Sequence, residues 1–208
     1  MISAHLLRVA SITVFVCFVV GCATTRKPAD LVDIQKAIPG IVLDIRYATT
    51  NNFTGHQLYP FSKCYLRRAS AEKLRLVQAE LAALGYGLKI FDGYRPLSVQ
   101  WKMWEVYPHA GYVADPRKGS RHNRGAAVDV TLIRLADETE LPMPTPYDDF
   151  TERARRSFKD LPEEVIRNRE LLEQMLTKHG FVGLPTEWWH FDDKDWRNYP
   201  ILDVPIPD

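Results

Sequence analysis

Residues 120–129 read Ser-Arg-His-Asn-Arg-Gly-Ala-Ala-Val-Asp, and we expect this stretch to decide how the chain folds. It places His122 and Asp129 on either side of a turn of small residues. An apolar segment, residues 126–132, follows the turn and predicts a strand. Because the turn leads directly into that strand, the imidazole and the carboxylate can converge where the strand begins.

A second cluster near the end of the chain carries similar side chains. Residues 187–190 read Glu-Trp-Trp-His and supply one more imidazole and one more carboxylate. Each cluster alone is a weak signal, since a histidine and an aspartate beside a turn are more often a hydrogen-bonded pair. Two neutral imidazoles and one carboxylate with an open position, however, match a hydrolytic zinc site, and a spare glutamate can handle protons. The two clusters together predict a zinc peptidase.

The composition is that of an ordinary globular protein. The chain has 208 residues, a formal net charge of +1, 46% hydrophobic residues and 25% charged residues. This length allows one domain with a sizeable core, and no repeat or second domain boundary is visible. Lysine and arginine are scattered rather than clustered, which argues against nucleic-acid binding. The sequence predicts no protein partner.

The first residues have the pattern of an export signal. His5 and Arg8 precede an apolar run, residues 9–20, that is short for a membrane span but typical of a secretory signal. The run ends at Gly21 and Cys22, and this junction resembles the lipobox of bacterial lipoproteins, in which the cysteine is lipidated. A buried N-terminal helix or an uncleaved anchor is the alternative.

The lipobox interpretation divides the chain into three parts. We expect a signal peptide over residues 1–21, a tether over residues 22–30 and the globular domain over residues 31–208. Ala23, directly after the cysteine, is typical of sorting to the outer membrane. The hypothesis is therefore an exported lipoprotein on the periplasmic side of the envelope, held at the outer membrane by a lipid on Cys22.

The cysteines leave little room for disulfides. Three occur: Cys17 in the predicted signal, Cys22 at the predicted lipid site and Cys64. Once Cys22 is acylated, no intramolecular disulfide is possible in the mature domain. We expect Cys64 to be a buried structural thiol, since no local base would make it a nucleophile.

Periodicity and turn residues divide the domain into helices and strands. One helix is predicted to begin at the N-cap Ser70 and to end at Gly85. Its inward positions are Leu74, Val77, Leu81 and Leu84. The other predicted elements are strands over residues 41–46, 88–91, 126–132 and 188–191 and helices over residues 98–105 and 162–179. Helices and strands without strict alternation favour a single α+β domain, with a central antiparallel sheet flanked by helices.

Arg95 is the candidate for a fixed positive charge. It follows the predicted strand 88–91 closely and precedes Pro96, which favours an extended backbone at Arg95. A surface salt bridge is the simpler interpretation. In a peptidase, a guanidinium beside the metal would stabilise the oxyanion of the tetrahedral intermediate or hold a substrate carboxylate.

Four motifs in order carry a resemblance to a known family. They are Gly-Tyr-Arg-Pro at residues 93–96, Gly-Tyr-Val-Ala at 111–114, Ser-x-His-x-x-Gly-x-Ala-x-Asp at 120–129 and Glu-x-Trp-His at 187–190. Together they resemble the D-alanyl-D-alanine dipeptidases of the vancomycin-resistance type, within the zinc D,D-peptidase family. The resemblance spans residues 33–192. It implies the fold of the zinc D,D-carboxypeptidases, which is also described as hedgehog/DD-peptidase-like.

The resemblance also implies roles for individual residues. One zinc ion would be held by His122, Asp129 and His190. Glu187 would act first as general base and then as general acid. Arg95 would stabilise the transition state.

The same resemblance implies a site for a short substrate with two charged ends. Ser120 would help to bind the carboxylate of the dipeptide. Asp148 would receive the free amino terminus, with Tyr112 beside it. An acidic residue there would reject N-blocked peptides, because its buried charge would stay unpaired. The loop over residues 111–120 is longer here than in the resistance-type enzymes.

Three alternatives differ in substrate or chemistry. A zinc D,D-carboxypeptidase would have the same metal chemistry but an open amine end. An iron(II) oxygenase also uses two histidines and a carboxylate. A non-catalytic wall-binding lipoprotein would have no need of Glu187. The resistance-type enzymes act in the cytoplasm, whereas a tethered protein would act outside it, which favours salvage or turnover of D-Ala-D-Ala there.

Overall fold

A computed structural model of the chain describes residues 30–207. The predicted signal peptide, the lipid site at Cys22 and most of the predicted tether therefore lie outside the described residues. Within residues 30–207, no helix is long and apolar enough to cross a membrane.

The described part of the chain is an α+β domain, as predicted. Its strands are β1 (Leu31–Asp33), β2 (Val42–Leu43), β3 (Tyr65–Arg67), β4 (Tyr86–Asp92), β5 (Ala127–Arg134), β6 (Phe181–Gly183) and β7 (His190–Asp193). Its α-helices are α1 (Ile34–Ala37), α2 (Arg68–Ala83), α3 (Leu97–Val106) and α4 (Glu163–Lys178). Short 3₁₀ turns lie at Arg46–Ala48, His122–Arg124, Glu152–Ala154 and Trp196–Asn198.

The central sheet has five strands in the order β2-β4-β5-β7-β6. Three of its four strand pairs are antiparallel, and the short edge strand β2 pairs with β4 in parallel. A separate two-stranded antiparallel sheet joins β1 and β3. The predicted antiparallel sheet is therefore present, with a parallel strand at one edge.

The two long helices pack together beside this sheet. Helix α2 contacts β4 and α4, and α4 contacts β5 and β6. The inward residues of α2 predicted from periodicity are fully buried at Leu74, Val77 and Leu81. The prediction that Leu84 faces inward is wrong, since Leu84 is 54% exposed. It follows the last helical residue and precedes Gly85, whose φ of 81° turns the chain out of the helix.

Ser70 is also not the N-cap that the sequence predicts. Helix α2 begins two residues earlier, at Arg68. The Ser70 side chain is fully buried and donates a 2.6 Å hydrogen bond to Oδ2 of Asp193 at the end of β7. A distant carboxylate, rather than the backbone of the helix, therefore determines where this hydroxyl points.

Two further predictions concern the core. Cys64 is buried and carries a free thiol, as predicted, and burial raises its pKa well above the usual value. The last strand of the sheet begins at His190 rather than at Trp188. Trp188 and Trp189 both lie in the core, where Trp188 Nε1 donates a 3.0 Å hydrogen bond to Thr145 Oγ1.

The register of the sheet aligns polar residues across three strands. Asp92 at the end of β4 pairs with Asp129 of β5, and Asp129 pairs with His190 of β7. Side chains alternate between the two faces along a strand, so Asp129 and Thr131 lie on the face opposite Val130. The sheet thus brings residues from distant parts of the sequence to one point on one face.

Candidate metal centre and active site

Three side chains meet where β5 and β7 begin. His122 lies in the 3₁₀ turn before β5, and Gly125 closes that turn with a φ of 68°. This left-handed backbone angle is the reason that glycine is favoured at position 125. Asp129 and His190 are paired neighbours in the sheet. His122, Asp129 and His190 are all buried.

The ligand atoms of these three side chains form a small triangle. His122 Nε2 lies 3.1 Å from His190 Nδ1, and His190 Nδ1 lies 2.9 Å from Asp129 Oδ1. His122 Nε2 lies 3.4 Å from the same Asp129 oxygen. A tetrahedral zinc ion with bonds of about 2.0–2.1 Å separates its ligand atoms by about 3.3 Å. The three residues therefore could hold a metal ion, and both the donor types and their spacing fit zinc.

Neighbouring groups set the proton positions on both imidazoles. His122 Nδ1 donates to the Gly93 carbonyl at 2.7 Å, which leaves Nε2 with its lone pair toward the triangle. His190 Nε2 donates to Asp192 Oδ1 at 2.9 Å, which leaves Nδ1 facing Asp129 Oδ1 and the triangle. Hydrogen bonds of this kind fix the tautomer and the orientation of metal-binding histidines.

The carboxylate of Asp129 is held by a tyrosine. Tyr147 donates from its hydroxyl to Asp129 Oδ2 at 2.9 Å, which leaves Oδ1 toward the two imidazoles. The Tyr147 ring stacks on Phe91 at 4.7 Å and packs edge-on against Trp189 at 5.5 Å. A rigid aromatic contact on each side therefore fixes which oxygen of Asp129 faces the triangle.

The electrostatics of the triangle favour a cation. Burial alone would lower the pKa of His190, but its hydrogen bonds to Asp129 and Asp192 raise that pKa to about 10. Burial would raise the pKa of Asp129, yet the two imidazoles hold it well below its usual range. The surrounding carboxylates thus stabilise positive charge at this point, whether a proton or a metal ion carries it.

Arg95 is fixed beside the triangle by a buried network. Its Nε and Nη2 donate to Asp92 Oδ2 at 3.1 and 2.6 Å, and its Nη1 donates to Gln100 Oε1 at 2.9 Å. Tyr59 donates a 2.7 Å hydrogen bond to the other oxygen of Asp92. The guanidinium has five N–H groups, so two remain for a ligand. The Arg95 side chain is thus oriented before any substrate arrives, and it is not a surface salt bridge.

Glu187 has the environment of a proton-transfer group. Its carboxylate is buried and forms no hydrogen bond or ion pair with another described residue. Burial raises its pKa to about 7, well above the usual 4.5. A carboxylate with a pKa near neutrality can both take and return a proton.

The remaining predicted residues line the same cavity, which has a volume of about 90 Å³. Ser120 is buried, and its Oγ accepts a 3.2 Å hydrogen bond from the Asn123 N–H, so its own hydroxyl hydrogen is free to donate. Asp148 accepts hydrogen bonds from Tyr47 at 3.0 and 3.2 Å and has no cation within ion-pair distance among residues 30–207. Burial, followed by the nearby charge of Asp129, raises the pKa of Asp148 well above its usual range.

The backbone of Asp148 is strained. Its φ is 60°, in the left-handed region, where a residue other than glycine costs about 1 kcal/mol. Aspartate tolerates this region better than most residues do. Asp148 lines the cavity, and strain of this type is concentrated at functional positions.

The cavity brings together every residue that the sequence predicts for the site. Its lining includes Arg95, Tyr112, Ser120, His122, Asp129, Asp148, Glu187 and His190. Their roles in binding and catalysis stay predictions. Several residues in contact with the site were missed by sequence reasoning, namely Tyr47, Tyr59, Asp92, Gln100, Tyr147 and Asp192. Of these, Asp92 directly precedes the Gly-Tyr-Arg-Pro motif, and Tyr147 directly precedes the predicted site residue Asp148.

The contact between Tyr147 and Asp129 can be tested by removing one oxygen atom. We expect Tyr147→Phe to weaken zinc binding by about 10- to 100-fold, because Asp129 loses the group that orients it. Competition with a chromophoric chelator measures the affinity. Tyr94→Phe is the control, since Tyr94 is a buried tyrosine that donates to the Val204 carbonyl away from the site. Equal zinc affinity in Tyr147→Phe and the parent would show that the phenol has no such role.

The environment of Glu187 predicts how stability depends on pH. Its pKa is higher in the folded protein than in the unfolded chain, so stability falls as the pH rises from about 4.5 to 7. We expect metal-free Glu187→Gln to be more stable than the metal-free parent at pH 8, by up to about 3 kcal/mol. At pH 5 the difference should be less than about 1 kcal/mol. Urea unfolding at both pH values measures it.

Glu164→Gln provides the matched control, because Glu164 is exposed on α4. This variant should stay within about 1 kcal/mol of the parent at both pH values, since an exposed carboxylate in the first turn of a helix contributes no more than that. If the free energies of unfolding of Glu187→Gln and the parent differed by the same amount at pH 5 and pH 8, the ionised Glu187 carboxylate would not be destabilised by burial.

Comparisons with known proteins identify the family of this chain. The model of the Peptidase_M15 family, described as D-ala-D-ala dipeptidase, matches residues 27–207. A D-alanyl-D-alanine dipeptidase of Escherichia coli is 35% identical over 173 residues, which span 83% of this chain and 89% of the relative. One of Enterococcus faecalis is 31% identical over 198 residues, which span 84% of this chain and 93% of the relative.

Among solved structures, the LdcB LD-carboxypeptidase is similar with a TM-score of 0.45 and 18% identity, over 84% of this chain and 75% of that chain. The family model and the two relatives cover most of the chain and most of each relative's length. The predicted family and enzyme class are therefore confirmed. The chain belongs to the Peptidase_M15 family of D-ala-D-ala dipeptidases.

Proposed function

We propose that this protein hydrolyses free D-alanyl-D-alanine to two molecules of D-alanine with one zinc ion per chain. The family and the relatives support the substrate. The observation that carries the proposal is the cavity itself. It is small, it contains the triangle of His122, Asp129 and His190, and its lining includes the half-buried carboxylate of Asp148, which has no cationic partner among the described residues.

His122, Asp129 and His190 would hold the zinc ion. Their tautomers and orientations are already fixed by Gly93, Asp192 and Tyr147. When bound, zinc supplies Lewis-acid chemistry that polarises the scissile carbonyl and activates water. Three protein ligands leave one coordination position for this chemistry.

Glu187 moves the proton in this proposal. It takes a proton from the attacking water and returns it to the nitrogen of the leaving D-alanine, so that one group serves both steps. The absence of a fixed hydrogen-bond partner among the described residues leaves its carboxylate available for both transfers. Its raised pKa keeps the two protonation states close in free energy near neutral pH.

Arg95 stabilises the negative charge that develops on the carbonyl oxygen. Asp92 and Gln100 use three of its N–H groups and fix the plane of the guanidinium. The two remaining donors are therefore oriented before the reaction. Preorganised donors of this kind contribute a hundredfold or more to turnover, because no reorganisation is needed as the charge forms.

The charged ends of the substrate would bind at opposite ends of the cavity. Asp148 would pair with the substrate ammonium, which supplies the cation that this carboxylate lacks in the free protein. Ser120 would donate a hydrogen bond to the substrate carboxylate. Tyr112 would cover the amine end, where its ring stacks on Phe150 at 4.9 Å.

Aromatic rings narrow the amine end of the cavity. Phe150 stacks on both Tyr112 and Tyr107, and its ring also packs edge-on against Phe53 at 5.4 Å. A longer peptide or an N-acyl group would have to displace these rings and leave Asp148 unpaired. This arrangement favours a dipeptidase over a D,D-carboxypeptidase, whose substrate extends beyond the amine end.

An assay with free and blocked substrate tests the proposal. The zinc-loaded protein should release D-alanine from D-Ala-D-Ala, and kcat/KM for N-acetyl-D-Ala-D-Ala should be at least about 100-fold lower. Asp148→Asn should lower kcat/KM for the free dipeptide by about 100-fold, because the ammonium loses its counter-charge. Glu187→Ala should retain zinc and lose nearly all turnover.

Asp149→Asn is the matched control for Asp148→Asn. Asp149 is the next residue, but it accepts a hydrogen bond from the Thr151 N–H and does not line the cavity. Faster cleavage of the N-acetylated peptide than of free D-Ala-D-Ala would instead identify a D,D-carboxypeptidase. No cleavage of either substrate by zinc-loaded protein would remove the proposal.

We also propose that the protein is an outer-membrane lipoprotein anchored through Cys22 and facing the periplasm. The support is the sequence pattern alone: the apolar run 9–20, Gly21 before the cysteine and Ala23 after it. A protein held there could not reach the cytoplasmic dipeptide pool. It would act in turnover or salvage of D-Ala-D-Ala from the cell wall.

Labelling with radioactive palmitate in a Gram-negative host tests this anchor. The parent should incorporate label and sediment with the outer membrane, and Cys22→Ser should do neither, because it lacks the acylated thiol. Cys17→Ser should behave like the parent, since Cys17 lies within the predicted signal. Recovery of the parent from the soluble cytoplasm with its N-terminus intact would contradict the proposal.

A further inference from the structure

A second arginine lines the cavity besides Arg95. The charged groups in the lining include four carboxylates but only two guanidinium groups, those of Arg95 and Arg121. Arg95 is engaged by Asp92 and Gln100. Arg121 lies between Ser120 and the predicted ligand His122, and nothing in the proposed function uses it.

Arg121 is held in place but its donors are not used. Its Nε lies 3.3 Å from Asp192 Oδ2, in an ion pair whose geometry does not form a hydrogen bond. Its guanidinium carbon lies 4.6 Å from the centre of the Trp196 ring. The guanidinium makes no hydrogen bond to another described residue, and its side chain is 43% exposed. Asp192 and Trp196 thus restrict the group, while its terminal N–H groups stay free.

Asp192 neutralises the charge of Arg121 only in part. Its Oδ1 accepts the hydrogen bond from His190 Nε2, and only Oδ2 faces Arg121. The guanidinium can therefore bind a second carboxylate. Arginine is well suited to this, because its planar group can donate two parallel hydrogen bonds to one carboxylate.

The proposed substrate has one charge at each end. Asp148 provides the counter-charge for the ammonium, but Ser120 is neutral and provides only a hydrogen bond for the carboxylate. A carboxylate taken from water into a cavity loses its hydration and needs a cation for compensation. Arg95 is directed at the carbonyl oxygen in the proposed mechanism. Arg121, next to Ser120, is the cation that remains.

We propose that Arg121 pairs with the C-terminal carboxylate of the dipeptide and thereby sets the preference of the enzyme for a free carboxylate. This inference rests on the proposed function, since it concerns the second end of the same substrate. Arg121 acts in substrate binding and takes no part in proton transfer. Its removal should therefore raise KM more than it lowers kcat.

The experiment compares two substrates that differ only at the C-terminus, D-Ala-D-Ala and its C-terminal amide, each with zinc-loaded enzyme. High enzyme concentration allows the slow cleavage of the amide to be followed. The ratio of the two kcat/KM values measures the preference for a free carboxylate. In Arg121→Gln we expect this ratio to fall about tenfold or more, through a higher KM for the free acid. Arg121→Lys should recover part of the ratio, because it keeps the charge.

Arg124→Gln is the matched control. Arg124 also packs on Trp196, at 5.2 Å, but it bonds the Tyr199 carbonyl and does not line the cavity. Its acid-to-amide ratio should equal that of the parent. Zinc content and thermal melting of each variant show whether the metal site and the fold are intact.

Three results are distinguishable. A tenfold fall of the ratio in Arg121→Gln alone supports the inference. An unchanged ratio overturns the inference. This includes the case in which Arg121→Gln loses zinc and cleaves both substrates equally more slowly, because Arg121 would then act on the metal site through Asp192 and His190. A parent that cleaves neither substrate removes the proposed function and this inference together, whereas an active parent with an unchanged ratio removes only the inference.

Discussion

The site depends on one buried carboxylate held between two imidazoles. Asp129 Oδ1 lies within 3.4 Å of a nitrogen from both His122 and His190. Such a cluster is unfavourable to bury unless positive charge is present and each outer atom has a partner. Both conditions are met, because Tyr147, Gly93 and Asp192 bind the outer atoms and the inner atoms are spaced for a cation. The sheet register provides this arrangement, since Asp129 and His190 are direct cross-strand neighbours.

The same network connects the metal centre to the substrate groups. The Gly93 carbonyl accepts from His122, and the backbone N–H of Arg95 donates to the His122 carbonyl at 3.1 Å. A Cβ at Gly93 would lie 2.3 Å from Cys64 Sγ, so position 93 has no room for a side chain. The motif Gly-Tyr-Arg-Pro therefore positions the turn before β5 as well as the arginine.

Much of this arrangement could be predicted from the sequence. The elements and contacts that could not be predicted depend on short strands and on tertiary packing. Helix α4 and strand β5 have clear periodicity, and the metal-site residues occur in compact motifs. Strands β1, β3 and β6 have three residues each, which is too short for a pattern. Ser70 was misread as an N-cap, and the contact of Tyr147 was missed. Their partners, Asp193 and Asp129, come close to them only in the tertiary fold. Leu84 continues the apolar period of α2 past the point where the helix ends.

The central claim is that one zinc ion binds where the three ligand atoms converge. Anomalous diffraction at the zinc edge, from crystals of the zinc-loaded protein, tests it most directly. We predict one anomalous peak per chain, at about 2.0–2.1 Å from His122 Nε2, His190 Nδ1 and a carboxylate oxygen of Asp129. A peak coordinated by other residues, or no peak at this triangle in zinc-loaded crystals, would contradict the account.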